Sequence, residues 1–243
     1  MLFGGSAIAQ SRLDIAPEYF NWQEESNGEQ LLEESGFRIG LDWSYKQDKG
    51  QRWFWGSEVK AYYGLVDYDG HLQDGTPAKS ETEYFGARLE GKFGYHYVDL
   101  GEKHSLDIIG GLGLDFWLRR LDAGGNHGYD EYWLPFYLKA GVEVCPNTEK
   151  GWIAALGFKL PLYTIEMADL DIITVTLHPK SYISAYAEAG YKFSRHLSVV
   201  AFFDSYRFAR SDVATIFYGD QALTFWQPES EGYSVGAKLG WTF

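Results

Sequence analysis

The chain has 243 residues, a formal net charge of −13, 18% aromatic residues and a single cysteine, Cys145. No apolar run reaches the roughly 18–20 residues that a transmembrane helix needs, which excludes a helical membrane protein. The acidic balance and the lack of a Lys/Arg cluster argue against a nucleic-acid partner, and one cysteine excludes an internal disulfide.

The N-terminal residues 1–9 resemble the end of a secretory signal peptide. A short apolar run leads to Ala7-Ile8-Ala9, which fits the Ala-x-Ala pattern of signal-peptidase sites. The basic region that normally opens such a peptide is missing. We therefore predict a signal-peptide remnant at 1–9 and an exported mature protein at 10–243.

Alternation of charged and apolar residues with period two predicts about ten β-strands in the mature chain. On residues 36–46, Arg38 and Asp42 share one parity while Phe37 and Leu41 share the other. Arg207 has the wrong parity for its segment, which predicts a bulge or an early strand end there. The predicted strands cover residues 12–22, 36–46, 52–65, 83–97, 105–119, 131–144, 152–163, 182–193, 196–208 and 233–243.

The polar parity of these segments is rich in charge and nearly neutral. Balanced charge suits a narrow lumen, because an unpaired charge away from water is costly. We therefore predict an all-β, closed antiparallel transmembrane barrel with a side-chain-filled lumen, and we assign the whole net charge to loops and turns. The predicted lumen residues are Asp14, Glu18, Asp42, Glu58, Glu90, Asp107, Asp115, Glu143, Glu188 and Asp204, with Arg38, Lys46, Arg52, Lys60, Arg88, Lys92, Arg119, Lys139, Lys159, Lys192 and Lys238.

Aromatic residues cluster at both ends of the predicted strands. Tyr and Trp prefer the membrane interface, and two aromatic girdles are typical of outer-membrane barrels. The alternative is a soluble β protein, but so many large side chains on one parity would overfill a shared core. The predicted girdles are Trp43, Tyr45, Trp53, Trp55, Tyr95, Tyr97, Trp152, Phe193 and Trp241 at one rim, and Tyr19, Trp22, Tyr63, Phe116, Tyr132, Tyr163 and Tyr233 at the other.

Over its full mature length the chain resembles a bacterial outer-membrane β-barrel. The ending Tyr233–Phe243 alternates apolar residues up to a C-terminal Phe, which is similar to the terminal-strand signal of that class. The resemblance implies recognition by the outer-membrane insertion machinery and contact with membrane lipid and lipopolysaccharide. It also implies the outer membrane of a Gram-negative bacterium, with long loops outside and short turns in the periplasm.

The predicted connections alternate between short turns and long loops. The first long loop carries Glu24, Glu25, Glu29, Glu33 and Glu34 without Lys or Arg. It is either a solvated acidic loop or a site where divalent cations bridge to lipid phosphates. The short turns are predicted near 47–51, 100–103, 145–150 and 194–195, and the long loops near 23–35, 67–82, 121–130, 166–180 and 210–231.

Asp67 and Asp69 are the candidates for chemistry. Carboxylates two residues apart on a strand point the same way and can share a proton or position a water. The pair resembles the Asp-x-Asp of the omptin family, ten-stranded outer-membrane proteases whose fourth outer loop adds Asp-x-His. That loop here offers Asp169, Asp171 and His178 without Asp-x-His. The resemblance implies Asp67, Asp69 and His178 as an omptin-like catalytic set, and a plain acidic turn is the other interpretation.

The sequence predicts no cofactor and leaves metal binding open. The run Asp67–Leu72 departs from a calcium loop, because His71 stands at the third ligand position and Leu72 replaces the required Gly. His71 and His178 form a candidate surface metal pair, although two scattered histidines are more often solvated.

Three functions remain open, with a non-enzymatic protein favoured. The first is a porin-like outer-membrane barrel whose surface loops bind a partner, a ligand or lipopolysaccharide. The second is an omptin-like surface protease or hydrolase, and the third is a small selective channel.

Overall fold

The computed structural model describes residues 8–48, 52–71, 76–122, 128–170, 173–219 and 221–243. No helix among them is long and apolar enough to cross a membrane. Most of the predicted signal-peptide remnant lies outside the described residues, so that interpretation stays a prediction. The strands are β1 (Ile8–Ser26), β2 (Glu29–Asp48), β3 (Trp53–His71), β4 (Pro77–Leu100), β5 (His104–Asp122), β6 (Tyr129–Pro146), β7 (Gly151–Asp169), β8 (Thr174–Leu177), β9 (Lys180–Ser181), β10 (Ser184–Lys192), β11 (Leu197–Ala209), β12 (Ala214–Tyr218), β13 (Gln221–Phe225) and β14 (Glu229–Thr242).

Ten of these strands close into one antiparallel barrel. Strands β1 to β7 each pair with the next, β7 then pairs with β10, and β10, β11 and β14 follow in order. β14 returns to β1, with Asp14 opposite Gly240 and Ile15 opposite Leu239. The predicted closed ten-stranded barrel is confirmed. Full closure leaves no open sheet edge, which a bilayer would not tolerate.

The barrel wall is apolar outside and charged inside. On β2, Phe37 and Leu41 are 75% and 51% exposed, whereas Arg38 and Asp42 are 8% and 1% exposed. Leu89 on β4 is 54% exposed in the same way. This arrangement inverts that of a soluble protein, in which charged residues are almost never fully buried. The outer face therefore suits lipid, as expected of a transmembrane barrel.

The two ends of the barrel differ in their connections. β1 begins and β14 ends at one end, which we call the terminal end, and short turns join β2–β3, β4–β5, β6–β7 and β10–β11 there. Residues 49–51, in the first of these turns, lie outside the described part of the chain. We call the opposite end the distal end. It carries the connection 170–183, with β8 and β9, and the β12–β13 hairpin.

The strands extend farther at the distal end than the sequence analysis predicted. β1 and β2 are joined by Asn27 and Gly28 alone, both with positive φ (55° and 81°). An Asn-Gly pair in this conformation forms a tight type I′ hairpin turn. The predicted loop 23–35 is therefore wrong, because most of it is paired strand. The other predicted long loops are also shortened, since β3, β5 and β7 run to His71, Asp122 and Asp169.

Three single-residue predictions are wrong. Trp22, predicted in an aromatic girdle, is 2% exposed and packs inside the barrel. Arg52, predicted in the lumen, precedes β3, is exposed, and donates from Nη1 to Tyr95 Oη at 3.0 Å. Arg207 causes neither a bulge nor an early end, because β11 keeps its register with β14 past this residue. Its side chain points outward, with Nε 3.4 Å from Glu231 Oε2.

Candidate functional site

The distal half of the lumen is filled by aromatic side chains, which we call the plug. Trp117 and Trp133 stack with centroids 5.5 Å apart and ring planes at 8°, and Trp22 meets Trp133 edge-on at 5.2 Å. A cavity of about 30 Å³ remains beside these rings, roughly the share of one water molecule. The plug consists of Phe20, Trp22, Tyr62, Tyr84, Trp117, Trp133, Tyr137, Tyr206 and Phe208.

Arg119 lies beside the plug and binds the carboxylates of three glutamates. Its guanidinium donates to Glu34 at 3.0 Å, to Glu24 at 2.9 Å and to Glu131 at 2.7 Å. Arg119 and Glu34 are fully buried. Glu24 and Glu34 were predicted in a surface loop and instead face the lumen. The prediction that all of the net charge lies in loops and turns is therefore wrong.

Glu166 adds a fourth carboxylate to this region. It lies on β7 opposite Trp133 of β6 and is 1% exposed. Its Oε2 has no hydrogen-bond partner among the residues that the structure describes. The guanidinium of Arg119 is already shared by three other glutamates. Because an unpaired buried charge is costly, this position favours an uncharged side chain.

Ion pairs fill the middle of the lumen. Glu18 accepts from Arg38 and Lys60, each at 2.6 Å. Arg88 contacts Asp115 at 3.0 Å and Asp204 at 2.6 Å. All six were predicted lumen residues. Glu18–Arg38 and Arg88–Asp115 pair directly across consecutive strands, whereas Lys60–Glu18 and Arg88–Asp204 join strands that are not neighbours. Such pairing allows charge to be buried without bulk water.

Charged residues also line an open cavity of about 650 Å³ at the terminal end, which we call the chamber. Small or polar residues such as Ser44, Ser57 and Ser105 leave room for it where the distal half has tryptophans. Its charged lining includes Arg12, Asp14, Asp42, Lys46, Glu58, Glu90, Lys92, Asp107, Lys139, Glu143, Glu188, Lys192 and Lys238. The lumen is therefore filled in its distal half and open to solvent at its terminal end.

The structure places the three predicted catalytic residues on exposed positions. Asp67 and Asp69 lie at the distal end of β3, and Asp69 Oδ2 is 2.7 Å from Lys79 Nζ. This hydrogen bond and the charge of Asp69 raise the pKa of Lys79. His178 instead has Nδ1 3.2 Å from the Thr164 carbonyl oxygen. Among the described residues, no hydrogen bond or ion pair joins His178 to either aspartate.

The remaining metal-ligand candidates are also apart. His71 Nδ1 lies 3.4 Å from the Leu31 carbonyl oxygen, and Asp169 contacts Thr174 at 3.5 Å. Asp171 lies outside the described residues. Across the described part of the chain, no group of three or more His, Cys, Asp or Glu residues has an arrangement that could hold a metal ion.

The β12–β13 hairpin forms a separate two-stranded sheet beyond the barrel wall. Its base is closed by the Ser211 N–H, which donates to the Gln227 carbonyl at 3.1 Å, and Arg210 stacks over Trp226 at 4.7 Å. Phe217 is 75% exposed and Val213 is 55% exposed. The hairpin and the residues at its base therefore present exposed apolar side chains on a sheet separate from the barrel.

The sequence analysis did not predict that Glu24, Glu34, Glu131 and Glu166 face the lumen, and it did not predict the β12–β13 hairpin. The glutamates follow the strand alternation: Glu24 continues the inward parity of Asp14 and Glu18 beyond residue 22, where the predicted segment ends. The turn residues Asn27 and Gly28 were the signal that would have extended β1 and β2.

Comparison with known proteins supports the fold and leaves the activity open. The structure is similar to the outer membrane protease OmpT from Escherichia coli, with a TM-score of 0.59 and 9% identity over 97% of this chain and 96% of that one. It is also similar, with a TM-score of 0.45 and 10% identity, to the translocator domain of the autotransporter NalP from Neisseria meningitidis, over 94% and 88% of the two chains. No protein-family model and no curated protein matches the sequence. The chain has the fold of bacterial outer-membrane β-barrels.

Proposed function

We propose that this protein is a non-conducting surface barrel of the Gram-negative outer membrane, which recognises a partner through its distal end. The observation that carries the proposal is that the distal end has a filled lumen and an exposed apolar hairpin. The plug fills the lumen there, while the β12–β13 hairpin extends apolar side chains beyond the wall.

The plug argues against a small selective channel. Solute would have to pass Trp22, Trp117 and Trp133, which are all nearly fully buried. Moving such packed rings costs several kcal/mol of contact energy, as large-to-small core substitutions indicate. The chamber opens at the terminal end and stops at these side chains.

The hairpin supports recognition. Exposed Phe217 and Trp226 supply the large rigid apolar contacts that dominate the energy of protein interfaces. The connection also carries charge, as in the pair Lys180–Asp212, whose Nζ and Oδ1 are 2.6 Å apart. Polar groups around an apolar centre are the usual anatomy of an interface. Contact with lipopolysaccharide, and recognition of β14 by the insertion machinery, remain parts of this proposal.

The omptin-like alternative receives no support from the contacts of Asp67, Asp69 and His178. The resemblance to OmpT at 9% identity carries the fold alone. Asp67→Asn/Asp69→Asn is the variant that tests it, because it should abolish peptide cleavage by the purified barrel only if these carboxylates are catalytic.

Conductance and surface labelling test the proposal together. In planar bilayers we expect no conductance steps from the wild type, and steps from Trp117→Ala/Trp133→Ala, whereas Trp152→Ala on the outer face should stay silent. On intact cells a membrane-impermeant maleimide should label Thr224→Cys in a Cys145→Ser background, because this hairpin position is exposed.

Two outcomes would overturn the proposal. Steady open-channel steps from the wild type would show a conducting pore. Labelling of Thr224→Cys only after the outer membrane is permeabilised would place the hairpin in the periplasm and remove it from the cell surface.

A further inference from the structure

Around Lys238, in the inner part of the chamber, carboxylates outnumber cations. The ammonium of Lys238 lies 3.0 Å from Glu188 Oε1, 3.5 Å from Asp42 Oδ2 and 3.6 Å from Glu58 Oε1. Three carboxylates therefore share one cation. We call Asp42, Glu58, Glu188 and Lys238 the acidic floor. On their strands, Asp42, Glu58 and Lys238 lie farther from the terminal end than the other residues that line the chamber.

Three neighbouring cations of the chamber are each held by a carboxylate outside the acidic floor. Lys139 binds Glu90 at 2.6 Å, and Lys92 binds Glu143 at 2.7 Å. Arg12 forms its own pair with Asp14. Lys60 lies opposite Asp42 and shares Glu18 with Arg38, so the negative excess at the floor comes from Glu58 and Glu188, which share the single ammonium of Lys238.

The floor is both reachable and poorly satisfied. The side chains of Glu58 and Glu188 are 28% and 32% exposed, so their carboxylates face the chamber. Asp42 is 1% exposed behind them, and among the described residues its oxygens accept no hydrogen bond and have only the 3.5 Å ion-pair contact with Lys238. Buried carboxylates ordinarily have hydrogen-bond donors. The chamber volume of about 650 Å³ is within the ~300–1,000 Å³ of small-molecule sites.

The geometry points to a binding site for a small organic ammonium cation at the acidic floor. A primary ammonium group donates three hydrogen bonds and has no acceptor, which matches a site made of carboxylates. The described residues offer no metal-holding arrangement, so a metal ion fits less well. This inference concerns the terminal end and does not depend on the function proposed for the distal end.

Calorimetric titration of the purified full chain in detergent micelles with putrescine, a short diamine, tests the site. At low ionic strength we expect saturable binding to the wild type, and at least tenfold weaker binding to Glu58→Gln/Glu188→Gln. Asp69→Asn is the matched control, because it removes an exposed carboxylate at the other end, and it should bind as the wild type does. The neutral analogue 1,4-butanediol should give no saturable heat.

Lys238→Gln should change the affinity for putrescine in the opposite direction. It removes the internal cation that competes with the ligand, so putrescine should bind at least several-fold more tightly. Each variant is first shown to keep the gel mobility of a folded barrel, and Glu188→Gln alone replaces the double variant if that one does not fold.

Three results would overturn the inference. The wild type could show no saturable binding at millimolar putrescine. Folded floor variants could bind as the wild type does. Calcium chloride could bind with the same dependence on Glu58 and Glu188 while putrescine does not, which would reassign the floor to a metal ion.

Discussion

The two halves of the lumen are built from the same alternating strands and have opposite interiors. In the distal half, inward positions carry tryptophan, tyrosine and phenylalanine, and the cavity among them is about 30 Å³. In the terminal half, inward positions carry serine, lysine and carboxylates around about 650 Å³. The period of two decides which way a side chain points, and side-chain volume then decides whether the lumen is filled.

Charge is also handled differently in the two halves. Around Arg119, Glu24, Glu34 and Glu131 are buried with little room for water, and each is paired with the guanidinium. In the chamber, Lys92 and Lys46 are about one-third exposed, so solvent shares in their stabilisation. Identical substitutions should therefore cost more in the distal half.

The largest expected effect is that of Arg119→Met. It leaves Glu24, Glu34 and Glu131 buried without their common partner, and breaking such a pair costs about 3–5 kcal/mol. The neighbouring Arg120→Met is the matched control, because Arg120 is half-exposed and its ion pairs should be worth less than about 1 kcal/mol. Urea unfolding in lipid vesicles, followed by gel mobility, measures both. Equal losses for the two variants would contradict a structural role for the buried cluster.

A smaller effect on the free energy of unfolding, with a different sign for the two variants, distinguishes Glu34 from Glu166. Glu34→Gln should destabilise the barrel by about 1–3 kcal/mol, since it weakens charge-assisted hydrogen bonds from Arg119, Thr82 and other donors. Glu166→Gln should leave the free energy of unfolding unchanged or raise it, because within the described part of the chain Glu166 forms no ion pair and its buried Oε2 accepts no hydrogen bond. The same urea unfolding measures both. A large loss for Glu166→Gln would mean that its carboxylate has a stabilising partner after all.

The sequence predicted the wall better than the interior. Alternation placed all ten barrel strands, because it depends only on neighbours along the chain. The partners of the inward residues could not be read in this way: Arg119 and Glu34 are 85 residues apart, and their contact depends on strand register. The outward direction of Asp67 is readable from the sequence, since Asp67 shares the parity of Tyr63 and Leu65 on the same strand.

The smallest expected difference compares two inward lysines, one from each half. Lys159 is 1% exposed, with Nζ 2.5 Å from Asp204 Oδ1 and 3.6 Å from the Tyr206 ring centroid. Lys192 lines the chamber, is partly exposed, and has no ion pair among the described residues. Lys159→Gln should therefore lower the free energy of unfolding by roughly 1–3 kcal/mol, while Lys192→Gln should change it by less than about 0.5 kcal/mol.

Urea unfolding at low and high salt sharpens this last comparison. Salt screens exposed charges and leaves buried pairs largely unscreened, so the loss in Lys159→Gln should persist at high ionic strength. If the loss disappears with salt, the distal half is more hydrated than its packing indicates, and the contrast between plug and chamber is one of degree. If it persists while Lys192→Gln stays neutral, the protein interior changes from a dry packed core to a solvated cavity along a single set of strands.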